Sequence, residues 1–286
     1  MSAEWVALPD GTAIVELAQT SGLPLMRRLD PLRATTRGMG EVIDDVLEHG
    51  ATSILIGLGG SASTDGATGA LAALGARFLD SAGRDLPDGG GALSELRSVD
   101  CSSLRLPPSG GVTLLTDVSA ELLGPSGAAA IFAPQKGASP QQVIELEAGL
   151  AELASVVGGS PGTPGAGAAG GSAFGLATLW GATITSGAGY VQSVTGLEAA
   201  IAHCDVLVSG EGRFDAQSLG GKVVGQLIEK CTRAGVRVGV IAGAVEIDSD
   251  VWTASLTDLA GSREAAMHDP IRWLTAAGAE AASALG

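Results

Sequence analysis

The stretch Ser53–Ala67, which reads S-I-L-I-G-L-G-G-S-A-S-T-D-G-A, decides how the first half of this chain folds. A short apolar run, typical of a buried strand, ends in several glycines that a strand by itself does not need. A glycine-rich turn of this kind lets backbone N–H groups approach a bound anion. The hydroxyls of the turn and the carboxylate of Asp65 suit phosphate or a small polyhydroxy acid. Asp65 could equally cap the helix that follows, and the sequence leaves both roles open.

The same stretch also fits a dinucleotide-binding fingerprint. Gly57, Gly59 and Ala62 match G-x-G-x-x-A between a predicted strand and a predicted helix. Asp80 follows about 20 residues later at the end of the next predicted strand, where NAD-binding folds place a ribose-binding acid. The match has low specificity because the chain holds 44 glycines, and residues 165–170 fit a similar pattern without a preceding strand. NAD binding is therefore an alternative function.

Composition and charge narrow the classes of protein that this chain can represent. Hydrophobic residues make up 45% of its 286 residues, which is enough for a sizeable core. The formal net charge of −15 argues against nucleic acids and anionic membranes as partners, although local cations can still bind a small anion. Three isolated cysteines form neither a disulfide framework nor a zinc motif. With no leader-like start and no apolar run near the ~20 residues of a membrane span, we expect a cytoplasmic protein.

Hydrophobic patterns along the chain alternate between strands and helices. An Asp-Gly turn at residues 10–11 indicates a β-hairpin, and residues 38–50 show helical spacing. The clearest helix begins with Ser139 as N-cap and a proline in the first turn, and it ends at Gly158. Strands alternating with helices predict an α/β fold with parallel strand pairing. The Gly- and Pro-rich residues 158–172 are predicted to be either a linker between domains or a functional loop.

Two further segments place charged residues near predicted strand ends or turns. Asp117 ends the strand that starts at Val112, and ligands of open α/β sheets bind outside the carboxyl ends of strands. Lys136 stands in a Pro-Gln-Lys-Gly turn. Such a lysine is usually a solvated surface residue, and it becomes a site candidate if its loop faces Asp117.

Residues 209–222 hold the densest cluster of charges, which we predict to be a loop between a strand and a helix. The cluster consists of Glu211, Arg213, Asp215 and Lys222. It is not a Walker A loop, yet phosphoryl transfer needs these residue types. Carboxylates serve Mg²⁺ or the acceptor hydroxyl, and cations and backbone N–H groups serve the phosphates. A helix cap held by salt bridges is the structural alternative for the same residues.

Six blocks of the sequence together resemble the bacterial glycerate kinases of the type I family. They occur in the family's order and cover nearly the whole chain: D-P-L-R-A-T-T-R-G-M-G-E, G-L-G-G-S-A-S-T-D-G, L-G-A-R-F-L-D, G-P-S-G-A-A-A-I-F-A-P-Q-K-G-A, P-G-A-G-A-A-G-G and G-E-G-R-F-D-A-Q-S-L-G-G-K. The resemblance implies Mg²⁺-dependent transfer of the γ-phosphate of ATP to D-glycerate. The products are ADP and, in most bacterial members, 2-phosphoglycerate.

The resemblance also implies a domain organisation. The family fold has two α/β domains with the active site in the cleft between them, one domain being Rossmann-like and the other inserted into it. We therefore expect residues 1–196 to form the inserted mixed α/β domain with the glycine-rich loops. Residues 197–286 are expected to form the C-terminal part of the Rossmann-like domain, which is incomplete in this chain.

The resemblance and the residue types together predict the site. Four residues are predicted to be catalytic and to contact the nucleotide, Mg²⁺ and the transition-state charge: Glu211, Arg213, Asp215 and Lys222. Glu211 and Asp215 are also the predicted metal ligands. Six residues are predicted to bind substrate or phosphate: Gly59, Gly60, Ser61, Asp65, Asp117 and Lys136. The expected partners are D-glycerate and ATP, not nucleic acids or membranes, and a homo-oligomer is left open.

Three differences separate the chain from the family pattern. The family's early P-D-S-F-K-G-S-type and D-G-G-E-G-T motifs precede the segment that matches Trp5 onward, and neither occurs here. Thr64 and Ala120 also replace asparagines of the family blocks. Without the early strands, residues 197–286 would leave one sheet edge unpaired and apolar surface exposed. A truncated, non-catalytic remnant of the family is therefore the main alternative to an active kinase.

Overall fold

The structure is a computed structural model that describes residues 3–219 and 223–286. The chain divides into two compact units, the first ending at Tyr190 and the second running from Val191 to Gly286. The boundary expected from the sequence lies slightly later, after residue 196. Strands and helices alternate in both units, which confirms the predicted α/β class.

The described residues form short strands connected mostly by helices. The strands are β1 (Val6–Ala7), β2 (Thr12–Glu16), β3 (Ser53–Gly57), β4 (Arg77–Leu79), β5 (Ser98–Asp100), β6 (Val112–Leu115), β7 (Thr183–Thr185), β8 (Val206–Phe214), β9 (Arg237–Val245) and β10 (Trp252–Ser255). The α-helices are α1 (Leu17–Ser21), α2 (Arg37–Glu48), α3 (Thr68–Ala73), α4 (Ala128–Phe132), α5 (Pro140–Val157), α6 (Ala168–Trp180), α7 (Gly187–Val194), α8 (Leu197–Ile201), α9 (Ala216–Leu219), α10 (Val223–Ala234), α11 (Leu256–Ala260), α12 (Arg263–His268) and α13 (Pro270–Leu285). None of these helices is long and apolar enough to cross a membrane.

The N-terminal unit is built on a five-stranded sheet with the order β1-β2-β3-β6-β7. The hairpin of β1 and β2 is antiparallel, as predicted, and the other neighbouring pairs are parallel. The carboxyl ends of β2, β3, β6 and β7 therefore share one edge of the sheet. Gly57 pairs with Leu115, so the segments that follow β3 and β6 leave the sheet side by side. This edge is where an open α/β sheet binds its ligands.

Burial of the middle strand explains why its sequence is almost purely apolar. Ile54, Leu55 and Ile56 of β3 are all buried, as expected for a parallel strand covered on both faces. The longest helix, α5, begins at the predicted N-cap. The Ser139 hydroxyl accepts a hydrogen bond from the Gln142 backbone N–H, and the Gln142 side chain accepts one from Ser139 N–H. This capping box confirms the predicted helix start.

The Gly-rich residues 158–172 belong to the N-terminal unit, which continues to Tyr190, so the interpretation as a domain linker is wrong. Residues 158–164 are mostly exposed, and most of residues 165–172 are buried. Their last part forms a left-handed turn within α6, with φ of 54° at Ala169, 65° at Gly170 and 82° at Gly171. Gly66 N–H donates to the Gly170 carbonyl at 3.1 Å. Main chain here lies directly against main chain, which only residues without side chains allow.

The C-terminal unit contains a parallel three-stranded sheet with the order β10-β9-β8. Strand β8 runs through Phe214, so the predicted loop at residues 209–222 is wrong in its first part. Glu211 pairs with Ala242 and Arg213 with Ala244, because β9 supplies a partner for each of them. Within the described residues β8 is an edge strand that pairs with β9 alone.

We predict that the contact between α6 and the loop after β3 tolerates no side chain at Gly175. A Cβ atom there would lie 1.9 Å from the Gly66 carbonyl oxygen. We expect Gly175→Ala to lower the free energy of unfolding, measured by urea denaturation, by roughly 3 kcal/mol. The control Gly278→Ala in α13, where a Cβ meets nothing within 4 Å, should raise it by about 0.5–1 kcal/mol. Equal effects of the two substitutions would contradict the contact.

Candidate functional site

The loop that follows β3 opens to solvent at its start and is buried at its end. Gly59 and Gly60 are exposed, and a Cβ placed at Gly59 would meet nothing within 4 Å. The Gly60 carbonyl accepts a hydrogen bond from Leu23 N–H at 2.8 Å, which ties the turn to the segment after α1. From Ser61 onward every residue of the loop is buried. Two exposed glycines at the carboxyl end of a parallel strand form the accessible part of the predicted cradle.

Asp65 joins the starts of two helices. Its Oδ2 accepts hydrogen bonds from the N–H and the hydroxyl of Thr36, both at 2.8 Å, and from Gly69 N–H at 3.3 Å. The Thr36 hydroxyl in turn accepts from Ala70 N–H at 2.9 Å. Burial raises the pKa of Asp65, while these hydrogen bonds oppose the rise. One oxygen of Asp65 therefore has the predicted helix-start role, and its other oxygen, Oδ1, has no hydrogen-bond partner in the described part of the chain.

Lys136 is a buried lysine and not a surface one. It ends the 3₁₀ turn Pro134–Lys136 with only 2% of its surface exposed. Its ammonium donates to the Ser61 hydroxyl at 2.9 Å and to the Ser63 carbonyl. Burial lowers the pKa of Lys136 to about 8, although the negative charge of Asp65 opposes this. Lys136 thus holds the buried half of the loop after β3.

Several polar atoms of this region are buried without a hydrogen-bond partner among the described residues. They are Ser21 Oγ, Ser63 Oγ, Thr64 Oγ1 and Asp65 Oδ1. The Ser63 hydroxyl is close enough to favour the charged form of Asp65, but it forms no hydrogen bond of ordinary geometry. Leaving such atoms unpaired costs about 1–3 kcal/mol each. The loop therefore keeps hydrogen-bonding capacity that its own packing does not use.

Asp117 lies at the same sheet edge, two residues after β6. Its carboxylate is exposed and accepts hydrogen bonds from the Ser186 hydroxyl at 2.9 Å and from Ala188 N–H at 3.1 Å. It therefore binds the start of α7. Lys136 contacts Ser61 and Ser63, and its described contacts do not include Asp117. The N-terminal unit thus brings four predicted residues together in one loop, with Lys136 beneath it and Asp117 on the neighbouring strand.

The predicted residues of the C-terminal unit lie on β8 and directly after it. Glu211 Oε1 is buried without a partner among the described residues, and Arg213 Nε lies 3.5 Å from Glu246 Oε1. Asp215 Oδ1 accepts from Ser218 N–H at 3.3 Å and so caps α9. Both parts of the structural alternative, a cap and a salt bridge, are present. Lys222 lies outside the described residues.

The alternative function in NAD binding has no support in the topology. Asp80 follows β4, which pairs antiparallel with β5 in a separate two-stranded sheet. The fingerprint requires the acid at the end of the strand next to β3 in the parallel sheet, and that neighbour is β2 or β6. The Asp80 carboxylate is instead bound by Arg84 and by Ala82 N–H. Strand β4 and Asp80 therefore have the sequence spacing of the fingerprint, but β4 does not lie beside β3 in the parallel sheet.

Sequence reasoning missed Thr36, the main partner of Asp65. Thr36 stands immediately before α2, and a threonine before a helical run is a recognised start signal. Its side chain does not cap α2; it bridges to Asp65 and to Ala70 N–H at the start of α3. The helix start could therefore be found in the sequence, but the partner 29 residues away could not.

Comparison with known proteins decides the family. The model of the glycerate kinase family matches residues 1–285. A glycerate 2-kinase of Escherichia coli strain K12 is 42% identical over 233 residues, covering 78% of this chain. A glycerate kinase of Bacillus subtilis strain 168 is 39% identical over 248 residues, covering 84% of this chain. The chain belongs to the glycerate kinase family.

A solved structure of this family has the same fold. It is assigned as a glycerate kinase 2 from Salmonella typhimurium LT2, and it superposes with a TM-score of 0.74 at 35% sequence identity. The superposition covers 89% of this chain and 71% of that one. The chain spans 61% of the length of the Escherichia coli relative and 65% of the Bacillus subtilis one. The family of the chain is thereby established.

We predict that Asp65 is essential to the stability of this glycerate kinase family member. Asp65→Ala would leave the buried N–H groups of Thr36 and Gly69 without their hydrogen-bond acceptor. We expect the free energy of unfolding to fall by about 2–4 kcal/mol, measured by urea denaturation. Asp65→Asn keeps one carbonyl oxygen as acceptor and should lose clearly less. If the alanine and asparagine variants are equally stable, these hydrogen bonds do not hold the two helices.

We predict a pH-dependent contribution from Lys136. Its pKa is about 8 in the folded chain against an ordinary 10.5, so the penalty for burying its charge is fully present below pH 8. Between these values the unfolded chain binds more protons, and stability therefore rises with pH, by roughly 3 kcal/mol in total.

The measurement compares wild type with Lys136→Met. The free energy of unfolding of each protein is determined at pH 7 and at pH 10, so that contributions of other groups cancel in the difference. We expect wild type to gain stability relative to the variant at the higher pH. Parallel behaviour of the two proteins would show that the ammonium is not buried as described.

Proposed function

We propose that the chain is a glycerate kinase that acts in the cytoplasm. It would transfer the γ-phosphoryl group of ATP to D-glycerate, giving 2-phosphoglycerate and ADP. Membership in the family supports the reaction class, and the name of the Escherichia coli relative, glycerate 2-kinase, supports the position of transfer. The expected partners are these two small molecules.

The observation that carries the proposal is the loop after β3. It places two exposed glycines at the carboxyl edge of a parallel sheet, and buried behind them are a lysine and unpartnered oxygens. Glycerate offers a carboxylate and two hydroxyls, so it needs both hydrogen-bond donors and acceptors. We assign Gly59, Gly60 and Ser61 to the carboxylate or the transferred phosphate. Asp65 is fully buried behind them, and its proposed part in substrate binding is to hold this loop in place. Lys136 supports this loop through Ser61 and supplies positive charge from below.

The charged residues of β8 are assigned to ATP. Arg213 is more than half exposed, and its ion pair with Glu246 is long at 3.5 Å, so the guanidinium can exchange this partner for phosphate. Arg213 suits phosphate because its planar donors bind two oxygens at once. Asp215 and Lys222 remain proposed catalytic residues, with Asp215 also capping α9. Asp117 remains a proposed secondary contact.

The proposed Mg²⁺ ligands, Glu211 and Asp215, lie on β8 and directly after it. From Glu211 to Asp215 an extended chain advances by about 13 Å, so one ion cannot easily bind both carboxylates directly. The described residues hold no group of three or more metal-ligating side chains. Glu211 Oε1 alone fits, because it is an unpartnered oxygen and Mg²⁺ in kinases takes one or two carboxylates with phosphates and water. Bound Mg²⁺ would neutralise charge on the ATP phosphates.

The chain's own residues would act by positioning and by electrostatics. The substrate hydroxyl oxygen forms a bond to the γ-phosphorus while the bond from that phosphorus to its bridging oxygen breaks. The hydroxyl proton leaves to a base, and ADP carries away the bridging oxygen. The glycine loop would orient the acceptor. Arg213 would bind phosphate oxygens of ATP and stabilise their negative charge.

The test of the proposal is release of ADP by the purified chain with ATP and Mg²⁺, with and without D-glycerate. We expect ADP release to depend on D-glycerate, with L-glycerate as the control acceptor. A folded chain that releases no ADP with either acceptor would refute the proposal and favour a non-catalytic member of the family.

We predict that Asp215 contributes its carboxylate to turnover in addition to capping α9. Asp215→Ser retains a capping oxygen for Ser218 N–H but removes the negative charge. Asp215→Ala removes both. We expect both variants to lower kcat/KM by at least ~100-fold, the size of a lost transition-state contact. If Asp215→Ser has wild-type activity and only Asp215→Ala is impaired, the residue is a helix cap and nothing more.

A further inference from the structure

The C-terminal unit contains a groove. Of the predicted site residues that the structure describes, Arg213 is the one that lines it. It has a volume of about 660 Å³ and lies between the ends of the parallel strands and the helices α11, α12 and α13. We propose that this groove binds the nucleoside and phosphates of ATP. The inference rests on the proposed kinase function for the choice of nucleotide, and on the groove itself for the location.

The position of the groove follows the rule for open parallel sheets. All three strands of the sheet contribute to it at or near their carboxyl ends. Gly212 and Arg213 precede the end of β8 at Phe214, Ala244 precedes the end of β9 at Val245, and Leu256 directly follows β10. Ligands of α/β sheets bind outside these strand ends.

The cations of the groove are available for phosphate. Arg263, the first residue of α12, is exposed and has no hydrogen-bond or ion-pair partner in the part of the chain that the structure describes. Among the described residues, the Arg213 guanidinium has its long, exposed ion pair with Glu246 as its one partner. Two weakly held guanidiniums lining one groove are unexpected in a protein with a net charge of −15 unless an anion binds there.

The groove also has an apolar side that could contact the base of a nucleotide. Leu256, Ala266, Met267 and Pro270 give the groove an apolar wall, and Met267 is 70% exposed. A flexible thioether that is left in solvent can pack against the flat face of a purine ring. Small-molecule sites combine such apolar walls with a few charged groups, in volumes of about 300–1,000 Å³.

Gly212 lines the groove at a position where a side chain would have room. A glycine in a strand weakens the strand and often marks a close approach by another backbone or a ligand. At Gly243 the reason is protein packing, since a Cβ there would lie 2.6 Å from the Gly212 carbonyl oxygen. At Gly212 a Cβ would meet no atom of the described residues within 4 Å. A nucleotide in the groove would explain why this position carries no side chain.

Two other cavities of the described residues contain cations that are already paired with carboxylates. One beside Arg37 measures about 260 Å³, and its guanidinium is already bound by both oxygens of Asp88. Another beside Lys230 measures about 300 Å³, and that ammonium lies 2.7 Å from Glu198 Oε1. Their cations are committed to carboxylates, in contrast to Arg263.

The experiment is isothermal titration calorimetry, in which ATP is titrated into the full 286-residue chain in the presence of Mg²⁺. We expect Arg263→Ala to weaken ATP binding by about tenfold or more, because a charge-assisted contact is lost. Gly212→Phe, which places a ring at the lining of the groove, should weaken it at least as much. The matched controls are Arg84→Ala, an exposed arginine of the N-terminal unit, and Gly278→Phe on α13. Both should bind ATP as wild type does.

The outcomes separate this inference from the proposed function. Wild-type ATP affinity in Arg263→Ala, or in a folded Gly212→Phe, overturns the groove as the nucleotide site even if D-glycerate is phosphorylated. No ATP binding by the folded wild-type chain overturns it as well. Weakened binding in both variants with wild-type controls supports it, even if no D-glycerate-dependent ADP appears and the proposed acceptor is wrong. Circular dichroism and melting temperature of each variant establish folding.

Discussion

The N-terminal unit depends on one buried carboxylate. Asp65 Oδ2 holds the first turn of α2 and the first turn of α3 through Thr36 and Gly69, so two helices and the loop after β3 share a single acceptor. Burial disfavours its charge, and the hydrogen bonds together with the nearby ammonium of Lys136 favour it. A loop that carries this much polarity can be buried only because its charges and N–H groups face one another.

The loop after β3 has an exposed part that can contact a ligand and a buried part that holds the loop in place. The glycines at its start remain open, while the residues after them are enclosed and held by Lys136. An accessible turn on a rigid support is what a site needs if it is to orient a small acid without first ordering itself. In the C-terminal unit, polar and apolar groups come from different elements. In its groove, β8 supplies the charged Arg213, and the helices supply the apolar wall.

The predictable parts of the fold were those that local chemistry determines. The hairpin turn, the apolar strand β3 and the capping box at Ser139 could be identified from a few neighbouring residues. The errors arose where distant partners decide. Residues 209–214 look like a loop in sequence, and pairing with β9 makes them a strand. Lys136 looks like a surface lysine, and no local signal indicates the serines that surround its ammonium. Glycine-rich residues 158–172 fit a linker and a tight contact equally well.

The contact between the two glycine-rich segments has a consequence for how this protein can change. A core made of side chains absorbs a substitution because its neighbours can adopt other rotamers or exchange volume. Gly90, Gly170 and Gly175 instead face the carbonyl oxygens of residues 63–66, at distances that leave no space for a methyl group. Main chain has no rotamers, so no second substitution nearby can compensate for the first. This part of the molecule can accept new sequence only by shifting its backbone, and with it the loop that the proposed substrate contacts.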